Sequence, residues 1–233
     1  MNPDPRRLRS AFTLIETLVV VSIIVLILAL TGPSILGTLQ GSKLSSAGDT
    51  IVGVLSEAQQ MAQAQNTPVE VRFFKYTTPM NTTESYRSVM LLKVTTPTSA
   101  GGAITEEFVP IGDVQRIPDG VVIVNDEEAL SPLLGGEGFN DVKNDDSDLG
   151  YSGVTGATYN AIRFMTDGSC RKVSLSAGGV ASLGYPPLNQ SCITLCGDTG
   201  QQEITEENLP QNFYCIQIDP YTGKIRTYRP GQN

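Results

Sequence analysis

The sequence predicts an α+β fold, in which one long amino-terminal helix packs on an antiparallel β-sheet globular domain. Three observations lead to this prediction. An apolar run covers residues 18–30, with Ser22 as its one polar residue. An amphipathic repeat follows it as far as Gln65. Beyond residue 68 the chain consists of short β-rich runs bounded by turn residues, and no second helix of comparable strength is predicted.

Composition narrows the range of functions. The chain has 233 residues, a formal net charge of -8, no histidine and no tryptophan. Without histidine, Ser-His-Asp and Cys-His catalysis, histidine metal ligands and a histidine pH switch are excluded. The sequence pI of about 4.6 argues against a nucleic-acid partner, which calls for a basic surface. Acidic residues are plentiful but form no recognisable catalytic motif, so we expect a protein that is not an enzyme.

The amino terminus is basic, and the apolar run follows it. Residues 1–11 contain Arg6, Arg7 and Arg9 against one acid, so the acidic excess lies in the rest of the chain. Residues 12–30 make about 28 Å of helix at roughly 1.5 Å per residue, close to a hydrocarbon core of about 30 Å. The sequence therefore predicts that the first half of the helix, residues 12–31, is transmembrane. The positive-inside rule then predicts a single-pass membrane protein, with residues 1–11 in the cytoplasm and the carboxyl-terminal domain across the membrane.

Glu16 lies inside this apolar segment. A carboxylate there costs roughly 2.5–3.5 kcal/mol at a helix centre and less near an end. A plain anchor, a cleaved secretory signal peptide and a twin-arginine export signal, which Arg6 and Arg7 suggest, all leave that charge without a partner. The carboxylate therefore indicates a segment that meets a basic group in an assembled state.

Residues 9–16, RSAFTLIE, resemble the processing site of type IV prepilins and pseudopilins. The resemblance implies that a prepilin peptidase removes the leader, residues 1–11, by cutting between Ala11 and Phe12, and then methylates the new amino terminus. Ala11 departs from the glycine that the family usually has before the cut. Glu16 becomes the fifth mature residue, which in an assembled filament can pair with the Phe12 amine of another subunit.

Pro33 is the twenty-second residue after the implied cut, where many pilin-like subunits also have proline. A proline inside a helix removes one backbone hydrogen bond and kinks the chain, so we expect a kink here. The alternative is that the helix ends at Gly32 and Pro33. Apolar residues from Leu44 to Ala62 recur at spacings of three and four, which predicts an amphipathic helix over residues 34–65 with Gln59 on its polar face.

The β-rich globular domain is predicted to cover residues 66–233. Val69, Val71 and Phe73 alternate with Glu70 and Arg72, which predicts a half-buried strand. Further predicted strands cover residues 88–95, 107–111, 120–124, 161–165, 171–175, 214–218 and 224–228. Residues 183–212 are predicted to be a loop.

Two hairpins are predicted where Asp and Gly separate β-rich runs, at residues 162–175 and 216–225. These units resemble the carboxyl-terminal strands of the minor pseudopilin of type II secretion, the H subunit. Residues 58–73 look like the helix exit and first strand of that subunit. The chain is also similar to a group of pilin-like cassette proteins from Verrucomicrobia.

Residues 127–156 are predicted to form an insertion loop. Its acidic residues allow three interpretations: a solvated loop, a contact loop for a partner, or a calcium site, since Ca²⁺ takes oxygen ligands from flexible loops. The spacing does not match an EF-hand loop. The calcium candidates are Asp141, Asp145, Asp146 and Asp148. No other cofactor is expected.

The four cysteines are Cys170, Cys192, Cys196 and Cys215. Their even number, in a part of the chain predicted to be extracytoplasmic, favours two disulfides. Three connectivities are open. A zinc site is the rival interpretation, but the spacing lacks a CxxC knuckle.

The resemblance implies a structural minor pilin or pseudopilin subunit that assembles into a periplasmic filament for protein secretion or for a type IV pilus. It also implies a single-pass protein of the bacterial inner membrane, with a cytoplasmic amino terminus and a periplasmic carboxyl-terminal domain. The implied partners are the prepilin peptidase, other pilin or pseudopilin subunits, the inner membrane, and a secretion or pilus assembly platform. The alternative is a membrane-anchored extracytoplasmic binding module with a single span, which does not polymerise.

Overall fold

The computed structural model describes residues 13–79, 81–96, 106–126, 128–135, 139–140, 157–175, 181–200 and 202–230. The chain divides into two compact units, residues 1–40 and residues 41–233. Each unit includes part of one helix, α1, which covers Leu14–Ala64.

Helix α1 begins with a side-chain cap. The Glu16 amide donates to the Thr13 carbonyl at 3.0 Å and also to the Thr13 hydroxyl at 3.3 Å, so the hydroxyl adds a capping contact in the first turn. The helix ends before Asn66, which has a left-handed backbone conformation with φ of 48°. α1 continues through Pro33, so the alternative of a helix end at Gly32 and Pro33 is wrong. The kink at Pro33 stays a prediction.

The predicted fold class is wrong in its transmembrane part. Among the described residues, no helix combines the length and the apolar character that crossing a membrane requires. The predictions of a span at residues 12–31 and of a single-pass inner-membrane protein are therefore corrected. The alternative function as an anchored binding module stays a prediction.

The protein is built mostly from one curled antiparallel sheet. Its central order is β11-β10-β9-β4-β2-β1-β6-β7-β8, while β3 pairs with β2 and β5 pairs with β6. The strands are β1 Val69–Thr78, β2 Asn81–Thr95, β3 Glu107–Arg116, β4 Val121–Ile123, β5 Phe139–Asn140, β6 Thr158–Phe164, β7 Cys170–Leu175, β8 Ala181–Gly184, β9 Cys192–Gly197, β10 Phe213–Ile218 and β11 Ile225–Tyr228.

Two predicted loops are partly regular structure. Residues 183–212 contain β9, which lies inside the sheet between β4 and β10, so the loop prediction is wrong there. The predicted insertion loop contains a 3₁₀ turn at Pro132–Leu134, whose two leucines are buried in the main core. The calcium candidates Asp141, Asp145, Asp146 and Asp148 lie outside the described residues.

The main core lies between residues 44–62 of α1 and one face of the sheet. Apolar side chains at helical spacing meet inward-facing strand residues such as Val71 and Phe73. Gly48 permits a close approach to β10, because a Cβ atom at this position would lie 2.7 Å from ring atoms of Tyr214. The Tyr214 hydroxyl donates to Asp49 Oδ1 at 3.1 Å, which fixes β10 against the helix.

Strand β1 is buried on both faces rather than half-buried, which corrects the prediction from its alternation. Glu70 and Arg72 point away from α1 and bond to each other at 2.8 Å. Arg163 of the neighbouring β6 donates to the second Glu70 oxygen at 2.7 Å. The Arg72 guanidinium lies 4.3 Å from the centre of the Tyr159 ring. Pairing between strands therefore satisfies charges that the sequence pattern assigns to solvent.

Candidate functional site

The apolar start of α1 is the most exposed hydrophobic surface of the described residues. Twelve large apolar side chains between Leu14 and Leu28 have exposed fractions from 48% to 82%. They surround the helix on all sides, because the sequence here has no polar face. A helix that is apolar all round is stable only when something buries it.

Two hydroxyl side chains in this stretch are satisfied by the helix itself. Thr17 Oγ1 donates to the Leu14 carbonyl at 2.9 Å, and Ser22 Oγ donates to the Leu18 carbonyl at 2.8 Å. Hydroxyls that bond back to the preceding turn offer little polarity to a neighbour. The stretch therefore presents an apolar surface even at its two hydroxyl residues.

Glu16 differs from these residues. Within the described part of the chain, its carboxylate forms no hydrogen bond or ion pair. Part of its role is local, since an acid in the first turn of a helix interacts favourably with the helix dipole. That interaction is modest when the group is exposed. A carboxylate without a partner, set in an apolar surface, is suited to pair with a cation that arrives together with an apolar partner.

Of the other residues predicted for this site, Ala11 and Phe12 lie outside the described residues. Pro33 lies within α1. The structure therefore places Glu16 at the beginning of the helix, and the processing positions next to it remain predictions.

The sequence analysis missed a junction between α1 and two turns. Gln59, assigned to the polar face, donates from Nε2 to the Gly168 carbonyl at 3.2 Å and to the Thr222 carbonyl at 3.0 Å. The two turns close the hairpins β6–β7 and β10–β11, which confirms both predicted hairpins. Gly168 and Gly223 have φ of +86° and +65°, which side chains rarely adopt. Both turns contain Asp and Gly, and this common feature was the sequence signal that could have indicated that the two hairpins contact the same helix residue.

The four cysteines are all free thiols. Cys170 lies in the main core on the side of α1, whereas Cys196 lies in a separate cluster on the opposite face of the sheet. Burial raises the pKa of each of these two thiols to about 12. The thiols of Cys192 and Cys215 hydrogen-bond to each other across β9 and β10. The two predicted disulfides are thus not present, and one pair of thiols is in contact.

A cleft of about 370 Å³ lies beside the start of β4. Arg87 and Asp198 line it and form an ion pair at 2.7 Å, in which both side chains are about nine-tenths buried. The pair neutralises the charges of Arg87 and Asp198, and Asp119 is the other ionisable residue that lines the cleft. Among the described residues, no group of three or more Cys, Asp or Glu side chains could hold a metal ion.

No known protein family, curated protein or solved structure matches this chain.

Proposed function

We propose that the chain is a structural minor subunit of a type IV pilin-like filament, in which residues 14–29 of α1 lie against the same stretch of neighbouring subunits. The observation that carries the proposal is the exposed apolar surface of α1 with one carboxylate, Glu16, that has no partner among the described residues. The processing motif at residues 9–16 overlaps the beginning of that surface and supports the proposal.

The energetics favour a packed helix. Fully burying a Val, Leu or Ile side chain contributes about 1.5–3 kcal/mol. The twelve large apolar side chains are exposed by about half, so covering the rest contributes about 1 kcal/mol each. The total is on the order of 10 kcal/mol, comparable to the about 4–15 kcal/mol of freedom lost on association. Burial of this stretch therefore contributes a free energy of the size that association requires.

Glu16 gives such packing a register. Burying its carboxylate without a cation costs several kcal/mol, so the packed state requires a basic partner. Removal of residues 1–11 creates one, the free amine at Phe12, on every processed subunit. Pairing of Glu16 with that amine then selects one relative position of neighbouring helices, whereas apolar contacts alone leave the helices free to slide.

The carboxyl-terminal hairpins support assignment to the minor subunits. Both turns rest on Gln59, which holds β6–β7 and β10–β11 on the same part of α1. The sheet domain is thereby fixed to the helix that enters the filament. The H subunit of type II secretion is the member that the hairpin sequences resemble most.

The test compares incorporation of variants in cells that have a prepilin peptidase and a filament assembly machine. The tagged chain is measured by immunoblot in the sheared filament fraction and in the whole cells. Glu16→Gln keeps the size of the side chain and removes its charge. Glu57→Gln is the matched control, because Glu57 is also an exposed glutamate of α1 but lies outside the apolar stretch.

We expect Glu16→Gln to lower the filament-to-cell ratio at least tenfold, and Glu57→Gln to leave it unchanged. Equal ratios for the wild-type chain and both variants would show that the Glu16 carboxylate does not direct assembly. Absence of the wild-type chain from the filament fraction would reject the filament role itself.

A further inference from the structure

Strands β9 and β10 bring two cysteines to the same face of the sheet. Cys215 lies opposite Thr194 in the antiparallel register, and Cys192 lies opposite Gln217. Cys192 and Cys215 are therefore diagonal neighbours. Diagonal positions in an antiparallel pair lie about 7–8 Å apart, with the Cβ atoms somewhat closer, and here the two side chains turn toward each other closely enough for their thiols to hydrogen-bond.

The contact makes the two sulfur atoms unequal. The hydrogen bond from the Cys192 thiol, with a smaller contribution from the adjacent Thr194 hydroxyl, lowers the pKa of Cys215 to about 7. The pKa of Cys192 is raised, first by its bond with Cys215 and then by burial. Both residues are only half-buried, so small reagents can approach them. A thiolate beside a second thiol is the arrangement that disulfide exchange requires.

The other two cysteines lack this arrangement. Cys170 is fully buried on the α1 side of the sheet. Cys196 shares a face with Cys215 and is also a diagonal neighbour, but it is fully buried in the cluster around Val122 and Ile204. Cys196 is therefore the other cysteine that could pair with Cys215, and a test of the Cys192–Cys215 assignment must distinguish it from Cys192.

We propose that Cys192 and Cys215 form a redox-active pair, which a small-molecule disulfide converts to one disulfide across β9 and β10 while Cys170 and Cys196 stay reduced. The geometry that carries this proposal is the diagonal register of two half-buried thiols in contact. It does not depend on the filament function.

The reaction balances with a dialkyl disulfide such as oxidised glutathione as the oxidant. The Cys215 thiolate attacks one sulfur of the oxidant, forms a mixed disulfide and releases one thiolate. The Cys192 thiol then loses its proton to solvent. Its sulfur attacks the Cys215 sulfur in the mixed disulfide and releases the second small thiolate. The two released thiolates take up one proton each and become thiols. The two cysteines together lose two electrons and two protons, and the oxidant is reduced to two thiols.

The bond would staple β10 to β9 and close the chain between residues 192 and 215. β10 carries Tyr214, which bonds to α1, and pairs with β11, whose turn accepts a hydrogen bond from Gln59. A cross-link restricts the unfolded chain more than the folded one. Oxidation is therefore expected to make the carboxyl-terminal hairpin more resistant to unfolding.

The experiment incubates the whole folded chain with oxidised glutathione at pH 7.5, blocks the remaining thiols in denaturant with iodoacetamide, and maps the peptides by mass spectrometry. No Lys or Arg lies between Cys192 and Cys215, so trypsin alone leaves both cysteines in one peptide. A glutamate-specific protease cuts between them at Glu203, Glu206 or Glu207. The variants are C192S, C215S and C196S.

We expect a peptide pair joined through Cys192 and Cys215 in the wild-type chain and in C196S, with Cys170 alkylated in both. C192S should give only a glutathione adduct on Cys215, and C215S should give no cross-link. The urea midpoint should be higher for oxidised than for reduced wild type and C196S, and unchanged by oxidation in C192S. A cross-link that disappears in C196S, or separate adducts on Cys192 and Cys215 without a cross-link, would overturn the proposal.

Discussion

Replacing Glu70 with glutamine should destabilise the sheet domain far more than the same change at Glu106. The Glu70 carboxylate is 2% exposed and accepts from Arg72 at 2.8 Å and from Arg163 at 2.7 Å and 3.2 Å. Breaking a buried ion pair from one side costs about 3–5 kcal/mol, because the remaining charge stays buried. Glutamine keeps one acceptor oxygen and Arg163 keeps Glu106, so we expect about 3 kcal/mol for Glu70→Gln.

Glu106 is the matched control because it bonds to the same arginine. Its two oxygens accept from Arg163 at 2.7 Å and 2.9 Å, but its side chain is 39% exposed. Exposed pairs contribute about 0.2–1 kcal/mol, so Glu106→Gln should cost no more than about 1 kcal/mol.

Urea unfolding monitored by circular dichroism measures both changes in the free energy of unfolding. With a slope of about 2–3 kcal/mol per molar urea, a loss of 3 kcal/mol lowers the midpoint by about 1–1.5 M. The Glu106 variant should shift by less than about 0.5 M at the same slope. Equal shifts for the two variants, or a Glu70 shift below that of Glu106, would refute the argument that burial decides the contribution of this network.

Two further predictions concern α1 and pH. Gly48→Ala should lower the urea midpoint, because the new Cβ would lie 2.7 Å from the Tyr214 ring. Overpacking costs about 1–3 kcal/mol of stability. We expect this cost to exceed the gain of about 1 kcal/mol that alanine brings through its higher helix propensity. Gly53→Ala should raise the midpoint, because its Cβ meets nothing within 4 Å; a rise for both would contradict the close-contact argument. The hydrogen bond from Arg163 holds the pKa of Glu106 below its ordinary value of 4.5. Because this pKa is lower in the folded than in the unfolded state, the ionised Glu106 carboxylate stabilises the folded protein above pH 4.5. This stabilisation is lost as the pH falls through the folded-state pKa. The stability difference between wild type and Glu106→Gln should therefore shrink in acid, and a difference that stays constant from pH 7 to pH 3 would contradict it.

The sequence predicted the features that depend on local pattern. The apolar face of α1 between residues 44 and 62 follows from helical spacing, and the two hairpins follow from Asp and Gly turns. These signals require no knowledge of what lies opposite each segment. Strand pairing does require it, which is why Glu70 and Arg72 were assigned to solvent although Arg163 of another strand buries them.

β9 was missed for a related reason. The strand is short, with six residues, Cys192–Gly197. It follows two prolines at positions 186 and 187, which indicate a loop. The strand is held by partners on both sides, β4 and β10, rather than by its own propensity. Central strands of this kind depend on long-range pairing that composition does not reveal.

Hydropathy alone also does not distinguish whether lipid or other helices bury the first part of α1. A lipid core and a bundle of apolar helices offer the same chemistry to Leu, Ile and Val side chains. Glu16 was the informative residue, because a carboxylate is tolerated where a cation accompanies the apolar partner. The assignment of Glu16 to an assembly site stays a prediction, while the prediction of a transmembrane segment was wrong.

The central claim is that processing between Ala11 and Phe12 produces a subunit that packs through residues 14–29. The most direct measurement is the amino terminus of the chain, determined by mass spectrometry in cells with and without their prepilin peptidase. The account predicts a chain that starts at methylated Phe12 only when the peptidase is present. A chain that keeps Met1 in both strains, or one that starts beyond residue 30, would contradict it.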